Sequence, residues 1–213
     1  MTTTTIRERF DAAFAALPLV AILRGVKPDE VEPIAMALYE AGFRLIEVPL
    51  NSPNALDSIA RLARCLPADA VMGAGTVLSP DAADKVKDAG GQLIVMPHSD
   101  TRVIEHVKQI QGLLCIPGAA TPTEAFACVE AGADAVKLFP AELLTPAVVK
   151  AMRAVLPPTL KLLPVGGIAP TTMAAYRVAG ASGFGLGGAL YAPGMNATQV
   201  KERAEAFVTA WTA

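Results

Sequence analysis

Four of the five Ala-Gly pairs, at positions 41–42, 89–90, 131–132 and 179–180, divide this chain of 213 residues into similar parts. Their glycines lie 48, 42 and 48 residues apart. Each pair closes a stretch of helical character, where a glycine just past the last turn is a favoured stop signal. Within about six residues an apolar run of strand length follows. Each interval therefore holds two strand–helix units. Strict alternation of this kind implies parallel strands, because a parallel neighbour is reached only through a crossover.

Residues 4–16 predict a short amphipathic helix with Ile6, Phe10 and Phe14 on one face, ended by Pro18. Strands are expected over 19–23, 45–50, 71–75, 92–96, 113–116, 135–140, 161–165 and 183–187. Helices are expected over 28–41, from 53, from 80, and over 100–109, 121–131, 146–155, 170–179 and 197–211. Eight units in a row imply a (β/α)8 TIM barrel with an extra N-terminal helix, one domain over 1–213. The rival is an open doubly wound sheet. Its glycine fingerprint is missing after the first strand, where the chain reads Leu23-Arg24-Gly25-Val26.

Composition narrows the class. A formal net charge of -2 argues against a nucleic-acid footprint, which needs a basic face. Three cysteines, Cys65, Cys115 and Cys128, form no Cys-x-x-Cys and suggest reduced thiols in a cytoplasmic protein. Residues 1–10 lack the apolar core of a secretion signal, and Arg24 interrupts the longest apolar stretch, so no membrane span is expected. A layer of strands buried on both faces accounts for the mean hydropathy of +0.42.

Two charges interrupt the apolar strands. In 135–140 alternation puts Lys137 and Phe139 on one face, Val136 and Leu138 on the other. In 45–50 the neighbours Ile46 and Val48 face the helices, which turns Glu47 toward the barrel axis. A desolvated lysine loses its proton more easily and can attack a ketone as a neutral amine; a carboxylate nearby can move protons. A barrel-filling salt bridge is the structural alternative. Either reading expects the two side chains to be close.

Other polar groups fall at the strand ends where such barrels carry their sites. Arg24 could hold a carboxylate in a bidentate grip, or be an ordinary loop arginine. Thr76 could support the same carboxylate or cap the strand. Gly166-Gly167 and Gly187-Gly188 follow the seventh and eighth strands, where backbone N–H groups commonly hold phosphate. His98 and His106 are the only histidines and show no metal-ligand spacing, so no metal is expected.

The motifs Ala-Ile-Leu-Arg-Gly (21–25), Glu-Val-Pro-Leu-Asn-Ser-Pro (47–53), Gly-Ala-Gly-Thr-Val-Leu (73–78), Pro-Gly-Ala-Ala-Thr-Pro-Thr-Glu-Ala (117–125), Lys-Leu-Phe-Pro (137–140) and Pro-Val-Gly-Gly-Ile (164–168) complete the picture. With them the chain resembles the class I aldolases that cleave 2-keto-3-deoxy-6-phospho-sugar acids, from about Leu19 to Tyr191. The resemblance implies a Schiff base on Lys137, proton transfer by Glu47, and a pyruvate half bound by Arg24 and Thr76 with Pro97 and Phe139 packed on it. It implies no cofactor and a homotrimer. Pro49-Leu50-Asn51-Ser52 and Val165 look like the branch acting on the galactonate epimer; the gluconate branch usually has threonine at the place of Val165. The family usually reads Gly-Ser after the eighth strand. Here Gly187-Gly188 leaves phosphate to backbone N–H groups.

Rival functions stay open at this point. They are cleavage of the gluconate epimer or of 4-hydroxy-2-oxoglutarate, oxaloacetate decarboxylation, a phosphosugar isomerase or epimerase on the same fold, and a silent assembly subunit.

Overall fold

The computed structural model describes residues 4–110 and 112–213. Residues 1–3, part of the stretch read for a secretion signal, lie outside the described residues. In chain order the elements are α1 (Ile6–Ala16), β1 (Leu19–Ile22), α2 (Val31–Glu40), β2 (Leu45–Pro49), α3 (Ala55–Cys65), β3 (Val71–Gly75), α4 (Pro80–Asp88), β4 (Leu93–Val95) and α5 (Thr101–Gln109). Then follow β5 (Leu114–Ile116), β6 (Gly118–Ala119), α6 (Pro122–Glu130), β7 (Val136–Leu138), α7 (Pro146–Val155), β8 (Leu162–Pro164), α8 (Met173–Val178), β9 (Phe184–Leu186) and α9 (Ala197–Thr212). None of the described helices is long and apolar enough to cross a membrane.

The Ala-Gly repeat is a repeat of helix stops. The alanine N–H at 41, 89, 131 and 179 closes the last turn, and Gly42, Gly90, Gly132 and Gly180 follow at φ of 109°, 88°, 94° and 98°. That left-handed conformation costs a glycine least.

Every strand pair is parallel. One sheet runs β5-β4-β3-β2-β1-β9 and a second runs β6-β7-β8. A single parallel bridge, Val165 to Gly185, joins the end of β8 to β9. The fifth expected strand, 113–116, is β5; beyond Pro117, which has no N–H to give a ladder, an unexpected short strand, β6, begins the second sheet.

Most other boundaries shift by two residues or fewer, and two helix starts shift by three. The helix expected from Pro28 begins at Val31, because Pro33 cannot donate the bond that would extend the ladder back to residue 29. The helix expected over 170–179 shrinks to Met173–Val178. The Thr172 hydroxyl bonds both the N–H and the carbonyl of Ala169, and that local turn competes with helix.

Alternation along the strands makes two separate cores. Ile46, Val48, Ala74, Ile94 and Leu138 face the helices. Leu45, Val71, Leu93, Leu114, Ala135 and Leu163 face inward and meet Phe10 and Phe14 of α1. These inward residues stand at or beside the start of their strands, so α1 stoppers the interior at that end. Burying a side chain such as Phe10, which is fully enclosed, contributes about 1.5–3 kcal/mol.

Charge ties the stopper down. A capping box links Thr5 and Glu8 at its start. Lys161 pairs with Asp11 at 3.0 Å, and Arg7 pairs with Asp134, a buried carboxylate that also takes Lys108 at 2.8 Å and the N–H of Cys115 at 2.7 Å. At the opposite end, past the C-terminal ends of the strands, a cleft opens.

Candidate active site

One layer above the stopper, β2 and β7 each send a charge inward. Glu47 is 2% exposed and Lys137 is 6% exposed. Both line a narrow internal space whose other walls include Val20, Ile22, Val95 and Val165. The expected proximity is met in that sense, but the salt-bridge alternative is not: charge alone links the two, with no side-chain bond between them. Glu47 Oε2 is buried without a hydrogen-bond partner among the described residues. An unpaired buried oxygen is costly, so this is not a site optimised for stability.

The environment moves both protons. Burial pushes the Glu47 carboxyl up to about 7, while the charges of Lys137 and Arg24 pull it the other way. Burial pulls the Lys137 ammonium down; the Glu47 carboxylate opposes this and Arg24 adds to it. Each shift moves its group toward neutral pH, one carboxyl as a proton acceptor and one amine as a nucleophile. The Lys137 ammonium nitrogen also lies 4.5 Å from the centroid of the Phe139 ring.

Above this space opens a cleft of about 340 Å³. Lys137 and Val165 belong to both, so the cleft reaches the amine directly and Glu47 lies beneath it. Arg24 and Phe139 line it together with the turns of Gly166-Gly167 and Gly187-Gly188. Arg24 is held by the turn after β2: its Nη1 donates to Asn51 Oδ1 at 2.6 Å, and the next N–H, of Gly25, donates to Ser52 Oγ at 2.9 Å.

The structure thus gathers nine of the eleven expected residues. Thr76 and Pro97 do not line the cleft. Thr76 follows Gly75 at the end of β3 with φ of 56°, a strained conformation for a β-branched residue. Pro97 is half-buried, its carbonyl against Gly118, which leaves no room for a Cβ there.

One charged residue of the cleft was not singled out from the sequence. Glu142, in the loop between β7 and α7, lies over Gly166 and Gly167. The available signal was position: a carboxylate five residues after Lys137, in the loop at the site end of the strand.

The family model for aldolases, "KDPG and KHG aldolase", matches residues 10–207. A "probable 2-dehydro-3-deoxy-6-phosphogalactonate aldolase" of Rhizobium meliloti (strain 1021) is 45% identical over 92% of this chain and 92% of its own. The 2-dehydro-3-deoxy-6-phosphogalactonate aldolase of Escherichia coli (strain K12) is 43% identical over 92% of this chain and 95% of its own. The solved "Native KDPGal structure" superposes with a TM-score of 0.90 at 42% identity, covering 92% of this chain and 95% of that one. The chain belongs to the KDPG and KHG aldolase family.

Proposed function

We infer that the chain is a class I aldolase cleaving 2-dehydro-3-deoxy-6-phosphogalactonate to pyruvate and glyceraldehyde 3-phosphate. The observation that carries this reading is the pair Lys137 and Glu47: an amine and a carboxylate facing one interior, unbonded, both moved toward neutrality by burial. The relatives that act on this substrate by name support the choice of sugar acid.

The Lys137 amine attacks the 2-keto carbon, and water leaves to give an iminium. The iminium draws electrons from the bond between carbons 3 and 4. Glu47, acting through a water, takes the proton of the 4-hydroxyl; the bond breaks and glyceraldehyde 3-phosphate departs. The enamine left on Lys137 takes a proton at carbon 3 and is hydrolysed, freeing pyruvate and the amine. The electron sink is the iminium itself, so the cycle calls for no cofactor.

In this reading Arg24, fixed by Asn51, meets the carboxylate of the pyruvate half, and Phe139 packs beside the amine. Thr76 and Pro97 act from the rim. Val165 presents no hydroxyl toward carbon 4, in keeping with the galactonate epimer. Backbone N–H groups of Gly166, Gly167, Gly187 and Gly188 receive the phosphate.

Three coarser features complete the proposal. The two sheets close into one (β/α)8 barrel, a single domain over 1–213; the Val165–Gly185 bridge and the shared turn at Pro117 favour closure. The molecule is a homotrimer, as the resemblance implies; sedimentation at monomer or dimer mass removes that part. It works in the cytoplasm, where Cys65, Cys115 and Cys128 remain free thiols.

Borohydride reduction in the presence of pyruvate tests the chemistry. A stable adduct is expected on the peptide carrying Lys137, and Lys137→Ala abolishes it. Labelling of another lysine would sink the mechanism.

A further inference from the structure

Three side chains bring polar groups to the cleft: Arg24, Lys137 and Glu142. Two are cations, with the ketone and the carboxylate of a keto acid as their natural partners. The rest of the wall is apolar side chain or glycine backbone. Among the described residues Glu142 is therefore the one side-chain hydrogen-bond acceptor that the cleft offers; Glu47 lines the adjoining internal space.

The loop that carries Glu142 is fixed on both sides. The N–H of Ala141 donates to the carbonyl of Val165 at 2.9 Å, and the Tyr176 hydroxyl donates to the carbonyl of Ala141 at 2.9 Å. The glutamate packs over the Gly166-Gly167 turn rather than against a cation. A Cβ on Gly166 would overlap its carboxylate, and one on Gly167 would come 3.2 Å from its Cγ. The carboxylate is thus held against the Gly166-Gly167 turn, in the wall of the cleft that Lys137 also lines.

We propose that Glu142 is a specificity-determining residue whose carboxylate accepts a hydrogen bond from the substrate's hydroxyl one carbon beyond the cleaved bond. The inference rests on the aldolase reading above. A sugar acid bound with carbon 2 at Lys137 and its tail at the glycine turns passes this hydroxyl along the Glu142 wall. A hydroxyl buried there without an acceptor would lose its bond to water, so the carboxylate selects polyhydroxy tails over deoxy ones.

The test runs the reaction in the synthetic direction, joining pyruvate to glyceraldehyde 3-phosphate or to 3-oxopropyl phosphate, the same aldehyde without its 2-hydroxyl. The wild type should favour the hydroxylated aldehyde in kcat/KM by about 10–100-fold, the span of one hydrogen bond to a charged group. In Glu142→Ala that ratio should fall close to one, chiefly through KM. Glu142→Gln, which keeps an acceptor oxygen, should hold part of it. Trapping of pyruvate on Lys137 should be equal in all three, since pyruvate has no tail. An unchanged ratio in Glu142→Ala, with trapping intact, overturns the inference and leaves the aldolase reading standing. A general gain on both phosphorylated aldehydes would make Glu142 an obstacle to phosphate and overturn it as well. Absence of a Lys137 adduct in the wild type would bring down the aldolase reading, and this inference with it.

Discussion

The carboxylate of Glu47 occupies the space that a side chain on Gly75 would need: a Cβ there would overlap both of its oxygens. Gly75 has no positive φ, so its smallness rather than its flexibility matters. Gly75→Ala should therefore displace the carboxylate without straining the backbone. We expect a stability loss of about 1–3 kcal/mol from overpacking. Cleavage should slow toward that of a variant lacking Glu47, with pyruvate trapping on Lys137 retained. Denaturant melts and steady-state kinetics measure both. Full activity would mean that the carboxylate works from another position.

Glu47→Gln should fold and should slow cleavage by about 10²–10⁴-fold, the usual contribution of one acid–base group. The wild-type rate should climb with pH through about 7 as Glu47 becomes the base, and the glutamine variant should lack that limb. Stability has the opposite slope. A carboxyl raised from 4.5 to about 7 in the folded state adds stability that is complete below 4.5 and lost as pH rises through about 7. Melts of the wild type should therefore decline across that window, and those of the glutamine variant should be flatter. Parallel curves would remove Glu47 as the titrating group.

What the sequence disclosed, and what it hid, follows from which signals are local. The strand β3 and the helix α7 lie where the reading put them, because a buried run and a proline at a first turn are local signals. Lys137 and Glu47 stood out because a charge amid apolar strand residues needs a reason. The Ala-Gly repeat was legible because a helix stop has one cheap backbone solution. The start of α2 and the short α8 depended on the N–H that Pro33 lacks and on the bonds of the Thr172 hydroxyl, which a count of apolar positions does not register. The two cores, and the stoppering by Phe10 and Phe14, arise from contacts across the whole chain. Glu142 escaped because it sits in a loop without periodicity, and only folding brings it over Gly166.

Thr76 holds φ of 56° just past the end of β3, a conformation that costs a β-branched residue on the order of 1–3 kcal/mol. Thr76→Gly removes that strain but adds freedom to the unfolded chain, worth roughly 0.5–1 kcal/mol in the other direction. The net expectation is an unchanged or slightly higher melting midpoint. If the hydroxyl supports the pyruvate carboxylate, trapping should need more pyruvate in the same variant. A variant that melts far lower would show that the threonine side chain is structural; unchanged trapping would take Thr76 out of the site.

Gly188→Ser should tighten the binding of phosphorylated substrate. The position could have been glycine for conformational reasons, but neither Gly187 nor Gly188 has positive φ, and a Cβ at either would meet nothing within 4 Å. The turn is held from behind, where Arg203 Nη1 donates to the carbonyl of Gly188 at 3.2 Å. That bond uses the backbone and survives the substitution. A serine therefore fits, and its hydroxyl can donate to a phosphate oxygen in the cleft. Such a bond is worth about 1.5–3 kcal/mol before the cost of fixing the rotamer. The expected outcome is a lower KM for the phosphorylated sugar acid and no change for its dephosphorylated analogue, with kcat nearly constant. Equal effects on both substrates would place the phosphate elsewhere. A wild type that already prefers the dephosphorylated acid would overturn the phosphosugar assignment, while the chemistry at Lys137 would stand.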